Sequence, residues 1–304
     1  MELGGLDLAT IVDRVQAVVG GELEPVSRYE ATLKGTSIGD VRVELDAILF
    51  REFKLQGFLE GLRLEKVKAD LGEQVEKVMA TEARRFVPFE VVFDPIEFGR
   101  LDELDAVRES LHFGAEGTGA SVFNAFGLHF NPEVNPVSAA NILKYLQAFL
   151  ILYEDLKKSH QVDTARRISP FIDPFPRKYA RKVLSPDYRP DLETLIDDYL
   201  DLNPTRNRPL DLLPIFCWLD EERVRRRLPE EKISKRPTLH YRLPDCRVDE
   251  PDWTITEEWE VWLTVEQLAE NPRELYERLR SEYRRMKHPW RAAILGWMRK
   301  WRFR

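Results

Sequence analysis

Cysteine is scarce in this 304-residue chain, which contains only Cys217 and Cys246. Two cysteines cannot build a disulfide framework, and their spacing matches no zinc motif. A long apolar run is also missing, because the longest, near Leu146 to Leu152, is too short to cross a bilayer. The first residues lack the basic segment and apolar core of a signal peptide. We therefore expect a reduced, cytoplasmic protein without a membrane partner.

Several nucleotide-binding and hydrolase motifs are absent as well. The sequence has no GxxxxGK, no GxGxxG before a helix, no GxSxG and no HExxH, which argues against P-loop, Rossmann, serine-hydrolase and zincin sites. The glycine-rich stretch from Gly114 to Gly119 precedes an apolar, strand-like run rather than a helix. The net charge of -7 argues against general nucleic-acid binding, which needs a basic surface.

Hydrophobic patterning predicts an α+β fold built on an antiparallel sheet. Strand-like and helix-like segments mix without a regular βα alternation, which disfavours a doubly wound parallel sheet. We expect a single domain over residues 1–304, with an N-terminal helix within residues 1–22, helical insertions, and a basic aromatic tail over residues 284–304. The predicted strands are residues 27–34, 40–46, 86–93, 121–131 and 237–243. The predicted helices include residues 58–82, 101–111, 137–158 and 191–202.

The first candidate site residues lie on the strand after a turn that contains Gly35 and Gly39. Period two places Val41, Val43 and Leu45 on one face and Arg42, Glu44 and Asp46 on the other. Glu44 and Asp46 are then about 7 Å apart, a spacing suited to hard cations. A solvated strand face is the alternative.

Glu90 and His129 are further candidates on apolar, strand-like segments. A carboxylate such as Glu90 among Val87, Phe89 and Val91 needs a metal or an arginine, because burying an unpaired charge is costly. A structural salt bridge is the alternative for Glu90. For His129 the alternative is a satisfied core histidine.

Two later segments supply cationic groups. His240 and Arg242 share one face of a predicted strand, where an arginine could hold a phosphate through two hydrogen bonds. The rigid loop that contains Arg206, Asn207 and Arg208 suits an anionic substrate. Pairing of Arg242 with a core carboxylate and a solvated surface turn are the respective alternatives.

The order of these segments resembles the putative amidoligase family, whose members are carboxylate-amine ligases of the glutamine synthetase and glutamate-cysteine ligase superfamily. The resemblance runs from about Lys34 to Glu277. It rests on the segments GDVRVELD, VPFEVVFDP, FGLHFNPEVN, ISPFIDPFP, LIDDYLDLNPTRNRPLDLLP and RPTLHYRLPDCRVDEPDW. The superfamily often has Glu-x-Glu on the first strand and Glu-x-Arg on the last, and this chain has Asp46 and His240 at the altered positions.

The resemblance implies a sheet of the glutamine synthetase catalytic-domain type, with helices on one face and with ATP and Mg²⁺ as cofactors. It implies roles for the residues that match its motifs, in three groups. The metal ligands would be Glu44, Asp46, Glu90 and His129. Arg242, Glu90 and His129 would act in catalysis, and Arg242, His240 and Asn131 would hold the nucleotide. Arg206, Asn207 and Arg208 are our predictions for binding the substrate.

The implied reaction is ATP-dependent amide formation through an acyl-phosphate, from amino-acid, peptide or other small-molecule carboxylate and amine substrates. The same resemblance leads us to expect a homo-oligomer. Two alternatives stay open. One is a zinc hydrolase that uses His129, His240 and Glu90, and the other is a binding module that has kept the fold without the activity.

Overall fold

The computed structural model describes residues 1–45, 88–120, 124–168 and 170–287. Asp46, the helix predicted for residues 58–82 and the chain from residue 288 lie outside the described residues. The chain divides into two compact units. The first unit comprises Met1–Leu128, Asp163–Ile168 and Asp245–Glu258, and the second comprises His129–Val162, Ser169–Pro244 and Trp259–Arg304. The prediction of a single domain stays a prediction.

Seven strands and ten α-helices lie in the described residues. The strands are β1 (Glu2–Leu3), β2 (Glu22–Ser27), β3 (Glu30–Thr36), β4 (Gly39–Leu45), β5 (Phe89–Phe93), β6 (Leu210–Asp211) and β7 (His240–Tyr241). The helices are α1 (Leu8–Val19), α2 (Leu101–His112), α3 (Ala139–Ser159), α4 (Thr164–Ile168), α5 (Arg177–Val183), α6 (Leu192–Leu202), α7 (Leu213–Leu219), α8 (Glu221–Arg227), α9 (Ile255–Ala269) and α10 (Pro272–Lys287). The long helices predicted around residues 101–111, 137–158 and 191–202 are confirmed. No helix of the described residues is long and apolar enough to span a bilayer.

The first unit is built on a five-stranded sheet with the strand order β1-β5-β4-β3-β2. Every neighbouring pair is antiparallel, so the predicted antiparallel α+β sheet is confirmed. The β3–β4 hairpin forms where it was predicted, because Gly35 (φ 63°) and Gly39 (φ 89°) adopt backbone angles that other residues rarely take. Val41 and Val43 are fully buried on one face of β4, and Arg42 is exposed on the other.

Helix α1 covers the buried face of this sheet. The Asp7 carboxylate caps the helix by accepting the Thr10 amide at 2.8 Å. The helix ends at Gly20, whose φ is 70°. Its buried residues are Ile11, Val12, Val15 and Val19, and it packs on β3, β4 and α2. The opposite face of the sheet, away from α1, carries the polar residues of β4.

Two predicted strands are wrong in extent. Of residues 121–131, the described part forms only isolated bridges, at Gly127 to Asp245 and at Phe130 to Tyr241. The run 237–243 forms only the two-residue β7, with a separate bridge at Thr238. The backbone groups bond elsewhere: the Thr118 hydroxyl donates to the Phe126 carbonyl, for example. Such side-chain partners compete with a strand ladder.

Candidate functional site

A row of four glutamates crosses the sheet of the first unit. Glu44 on β4 lies directly opposite Glu90 on β5 and Glu30 on β3. Glu90 in turn lies opposite Glu2 on β1. Directly opposed residues of antiparallel strands point to the same face, so these side chains form one carboxylate row (Glu30, Glu44, Glu90 and Glu2). The structure thus brings the predicted ligands Glu44 and Glu90 together.

The carboxylates of the row differ in burial and partners. Glu2 is 3% exposed, and its Oε2 accepts the Gly127 amide at 2.6 Å. Glu44 is partly exposed, and its Oε2 lies 2.9 Å from Arg42 Nε. Burial raises the pKa of Glu44, the Arg42 charge lowers it, and the neighbouring Glu90 and Glu30 raise it further. Neighbouring carboxylates of the row therefore repel one another, and the charge of Arg42 offsets part of this repulsion at Glu44.

The donor set of the row fits a hard cation. All four side chains offer carboxylate oxygens, which Mg²⁺ and Ca²⁺ prefer, and opposed like charges are unfavourable without a countercharge. Among residues 1–45, 88–120, 124–168 and 170–287, no three His, Cys, Asp or Glu side chains converge in metal-binding geometry. The row thus supplies the right chemistry without a preformed coordination shell, and the predicted contribution of Asp46 lies outside the described residues.

In the second unit, Tyr241 fixes the orientation of β7. It is fully buried, its ring packs 4.7 Å from that of Trp262 and 6.1 Å from that of Phe149, and its hydroxyl lies 2.6 Å from His160 Nε2. Because side chains alternate along a strand, His240 faces away from Tyr241. Arg242 follows the end of β7, and its place on the same side as His240 stays a prediction.

Three polar side chains meet around His240, and we call the four together the His240 cluster (His129, Asn131, Arg236 and His240). Arg236 Nη2 lies 2.8 Å from His240 Nδ1, and Asn131 Oδ1 lies 3.0 Å from the same nitrogen. Arg236 Nε donates to Asn131 Oδ1 at 2.9 Å. The His129 and His240 rings pack edge to face with their centroids 5.1 Å apart. Sequence reasoning found three of these residues and missed Arg236, which lies four residues before His240.

Arg242 is a second cationic group, next to this strand. It is 7% exposed, and its Nη1 donates to the Arg206 carbonyl at 2.9 Å. Its backbone amide donates to the Pro209 carbonyl at 2.9 Å. Arg206 itself is partly exposed, and its Nη1 reaches the Lys232 carbonyl at 3.1 Å. The predicted phosphate and substrate arginines therefore lie in one neighbourhood.

Arg208 has a different environment from Arg206. It is 9% exposed, its Nε donates to Asn203 Oδ1 at 3.1 Å, and its Nη1 donates to the carbonyls of Asp173 and Pro174 at 3.2 and 3.1 Å. These contacts brace the loop. The predictions that Arg208 and the partly exposed Asn207 bind substrate stay predictions.

Asp211 is a charged group that sequence reasoning missed. It lies opposite His240 in the β6–β7 pair, is 3% exposed, and its Oδ1 accepts the Leu213 amide at 2.9 Å. Burial raises the pKa of Asp211 to about 6, although the hydrogen bond from the Leu213 amide and the charges of Arg242, Arg206 and Arg236 act to lower it. In the sequence, the only sign of this buried acid is its place within the apolar run Leu210-Asp211-Leu212-Leu213. An aspartate just before a helix there reads as an ordinary helix cap.

The same cations act on His240. Burial first, and then the charges of Arg242, Arg236 and Arg206, hold the pKa of His240 well below its usual range. The ring is therefore neutral, and the positive charge of this region belongs to the arginines. The arrangement suits an anionic ligand.

The predicted set is divided between the two units. Glu44 and Glu90 belong to the first unit, and His129, Asn131, His240 and Arg242 belong to the second. Glu44 lies opposite Glu90, and His129 and Asn131 contact His240. The gathering of Glu44, Glu90 and His129 around one metal stays a prediction.

Comparison with known proteins places the chain in a family. No curated protein and no solved structure matched it. Residues 1–264 match the family described as "Putative amidoligase enzyme", a range that holds every predicted site residue. The chain belongs to this putative amidoligase family.

Proposed function

We propose that this protein is an ATP-dependent carboxylate-amine ligase, which forms an amide bond through an acyl-phosphate. Membership of the amidoligase family supports ligase chemistry. The carboxylate row is the observation that carries the proposal, because four carboxylates side by side on one sheet face offer the oxygen ligands that a hard cation prefers. Phosphoryl transfer needs such a cation at the β- and γ-phosphates.

Magnesium, when bound, would neutralise the triphosphate and polarise the transferring phosphoryl group. Glu44 and Glu90 would hold it through their oxygens, and Asp46 and His129 are proposed to complete the set. Glu2 lies beside Glu90 on the edge strand, where its Oε2 is fixed by the Gly127 amide.

The cationic groups of the second unit supply the other need of the reaction. Arg242 is held by its bond to the Arg206 carbonyl, so its guanidinium is oriented before a ligand binds, which is how enzymes stabilise developing charge most effectively. We propose that Arg242 contacts the transferring phosphoryl group, with His240 and Asn131 beside the nucleotide. Arg206, with its partial exposure, is the better candidate for a substrate carboxylate, and Arg208 shapes the loop.

The proposal is tested with ATP, Mg²⁺, a panel of carboxylates and hydroxylamine as a general amine. We expect phosphate release and hydroxamate formation that need both a carboxylate and Mg²⁺. Glu44→Gln and Arg242→Gln should abolish both products. Glu24→Gln, on the same sheet but opposite Thr32, should leave them unchanged. Absence of phosphate release across the panel, under conditions in which an active amidoligase releases it, would contradict the proposal.

A further inference from the structure

Arg236 contacts His240 and Asn131 through one edge of its guanidinium. Its Nη2 lies 2.8 Å from His240 Nδ1, and its Nε lies 2.9 Å from Asn131 Oδ1. The N–H groups on this edge are parallel, so a guanidinium presents two donors at once to a pair of acceptors. His240 Nδ1 and Asn131 Oδ1 lie 3.0 Å apart, and as two acceptors they would repel each other without the positively charged guanidinium that bridges them.

The chemistry of arginine decides the protonation of the histidine ring. A guanidinium has only donors, so Arg236 can bond His240 Nδ1 only if that nitrogen offers its lone pair. The alternative, in which Nδ1 carries a proton and donates to Asn131, would place the Arg236 N–H and the ring N–H face to face at 2.8 Å. A neutral ring with a bare Nδ1 has its proton on Nε2.

The surroundings of the ring lead to the same assignment. His240 is 9% exposed and lies in the field of three arginines, Arg206, Arg236 and Arg242. A second proton on the ring would add a cation to a buried, cation-rich place. The ring therefore carries one N–H, at Nε2, rather than a charge.

We propose that Arg236, itself oriented by its bond to Asn131 Oδ1, is a positioning residue that holds His240 in its Nε2–H form, so that His240 donates a hydrogen bond to an anionic oxygen of the ligand and does not bind a metal ion. The identity of that oxygen, on a nucleotide phosphate, rests on the proposed function. A substrate carboxylate has the same hydrogen-bonding chemistry, and binding of phosphate and acetate separates the two sources.

At position 240 the resemblance places a carboxylate. A glutamate there would accept hydrogen bonds and attract cations, whereas Nε2–H of His240 repels a metal ion and attracts an anion. The zinc-hydrolase alternative needs the Nε2 lone pair of His240, and this hydrogen-bonding pattern removes it.

The first experiment measures the tautomer directly, by long-range ¹H–¹⁵N correlation of the histidine side chains in the full-length protein. The His240 signals are identified by their loss in His240→Gln. We expect one protonated and one bare nitrogen, with the proton on Nε2. A proton on Nδ1, or on both nitrogens, overturns the proposal. In Arg236→Met the proton should move to Nδ1 and face Asn131, whereas Arg236→Lys should keep the wild-type form.

The second experiment measures binding of inorganic phosphate and of acetate without metal. His240→Gln keeps an N–H at the end of the side chain and should retain phosphate binding. His240→Glu and Arg236→Met should weaken it about tenfold, the scale of one charge-assisted hydrogen bond. Arg226→Met, an exposed arginine that pairs with Glu222 in the same unit, is the matched control. Equal phosphate binding by His240→Glu and wild type refutes the donor role.

The outcomes separate this inference from the proposed function. Tighter binding of acetate than of phosphate would assign His240 to a carboxylate and overturn its place beside the nucleotide. The tautomer is measured on the free protein, so a chain that shows it but never releases phosphate from ATP would contradict only the ligase proposal. Phosphate release with the proton on Nδ1 would contradict only the positioning role.

Discussion

Removing one charge from the middle of the carboxylate row should stabilise the protein when no divalent cation is present. Glu44 is opposed by Glu30 and Glu90, and each directly opposed like-charged pair costs about 0.2–1 kcal/mol. Glu44→Gln relieves both repulsions and gives up the partly exposed ion pair with Arg42, which is worth about 0–1 kcal/mol. The expected net gain is roughly 1 kcal/mol, or a rise of about 2–4 °C in Tm.

Thermal unfolding in EDTA and in Mg²⁺ tests this expectation. Without the metal, Glu44→Gln should melt above wild type, and added Mg²⁺ should raise the Tm of wild type more than that of the variant. Glu24→Gln, which lies opposite Thr32, should behave as wild type in both buffers. The gain should shrink as the pH falls through the raised pKa of Glu44, because protonation removes the same charge. A lower Tm for Glu44→Gln in EDTA, or an equal response of both proteins to Mg²⁺, would refute the reasoning.

Three further predictions concern the second unit. Asp211→Asn should raise the unfolding free energy by about 3 kcal/mol at pH 7. The pKa of Asp211 rises from 3.8 to about 6 in the folded protein, so the ionised carboxylate destabilises the fold, and asparagine carries no charge. Wild type should therefore lose stability relative to the variant as pH rises from 4 to above 6 in urea titrations, and parallel pH curves would contradict this. Arg208→Met should lower the unfolding free energy by about 2–4 kcal/mol through its lost hydrogen bonds. Arg206→Met should change it by less than about 1 kcal/mol, and equal losses in denaturant melts would remove the distinction. Tyr241→Phe should cost about 1–3 kcal/mol because His160 loses a buried partner, and an unchanged melt would show the bond to be unimportant.

The local features of the fold were predictable from the sequence because their causes are local. Gly35, Gly39 and the alternation of Val41 and Val43 specify the β3–β4 hairpin within a few residues, and Asp7 and Gly20 delimit α1. The strands predicted around residues 121–131 and 237–243 failed for a different reason. Apolar composition favours an extended chain in either case, and whether that chain forms a ladder depends on partners distant in sequence.

The site shows the same limit. Glu44 lies opposite Glu90 because of the register between two strands that are distant in sequence. No spacing rule predicts that register, and only the family resemblance suggested that the two residues belong to one site. Arg206 and Arg208 look equivalent in the sequence, but Arg206 is partly exposed. The guanidinium of Arg208 is buried and donates to Asn203, Asp173 and Pro174. Nothing in the sequence marks Arg236 as a site residue, because only the folded structure brings its guanidinium against the His240 ring.

The most direct test of the ligase mechanism is the fate of carboxylate oxygen during turnover. A carboxylate substrate found in the hydroxamate assay is labelled with ¹⁸O and incubated with ATP, Mg²⁺ and an amine, and the released phosphate is analysed by mass. Formation of an acyl-phosphate predicts one ¹⁸O in each phosphate released, because the carboxylate oxygen stays with phosphorus when the amine displaces it. Amide formation with unlabelled phosphate, or ATP cleavage that ignores the carboxylate, would contradict the ligase mechanism.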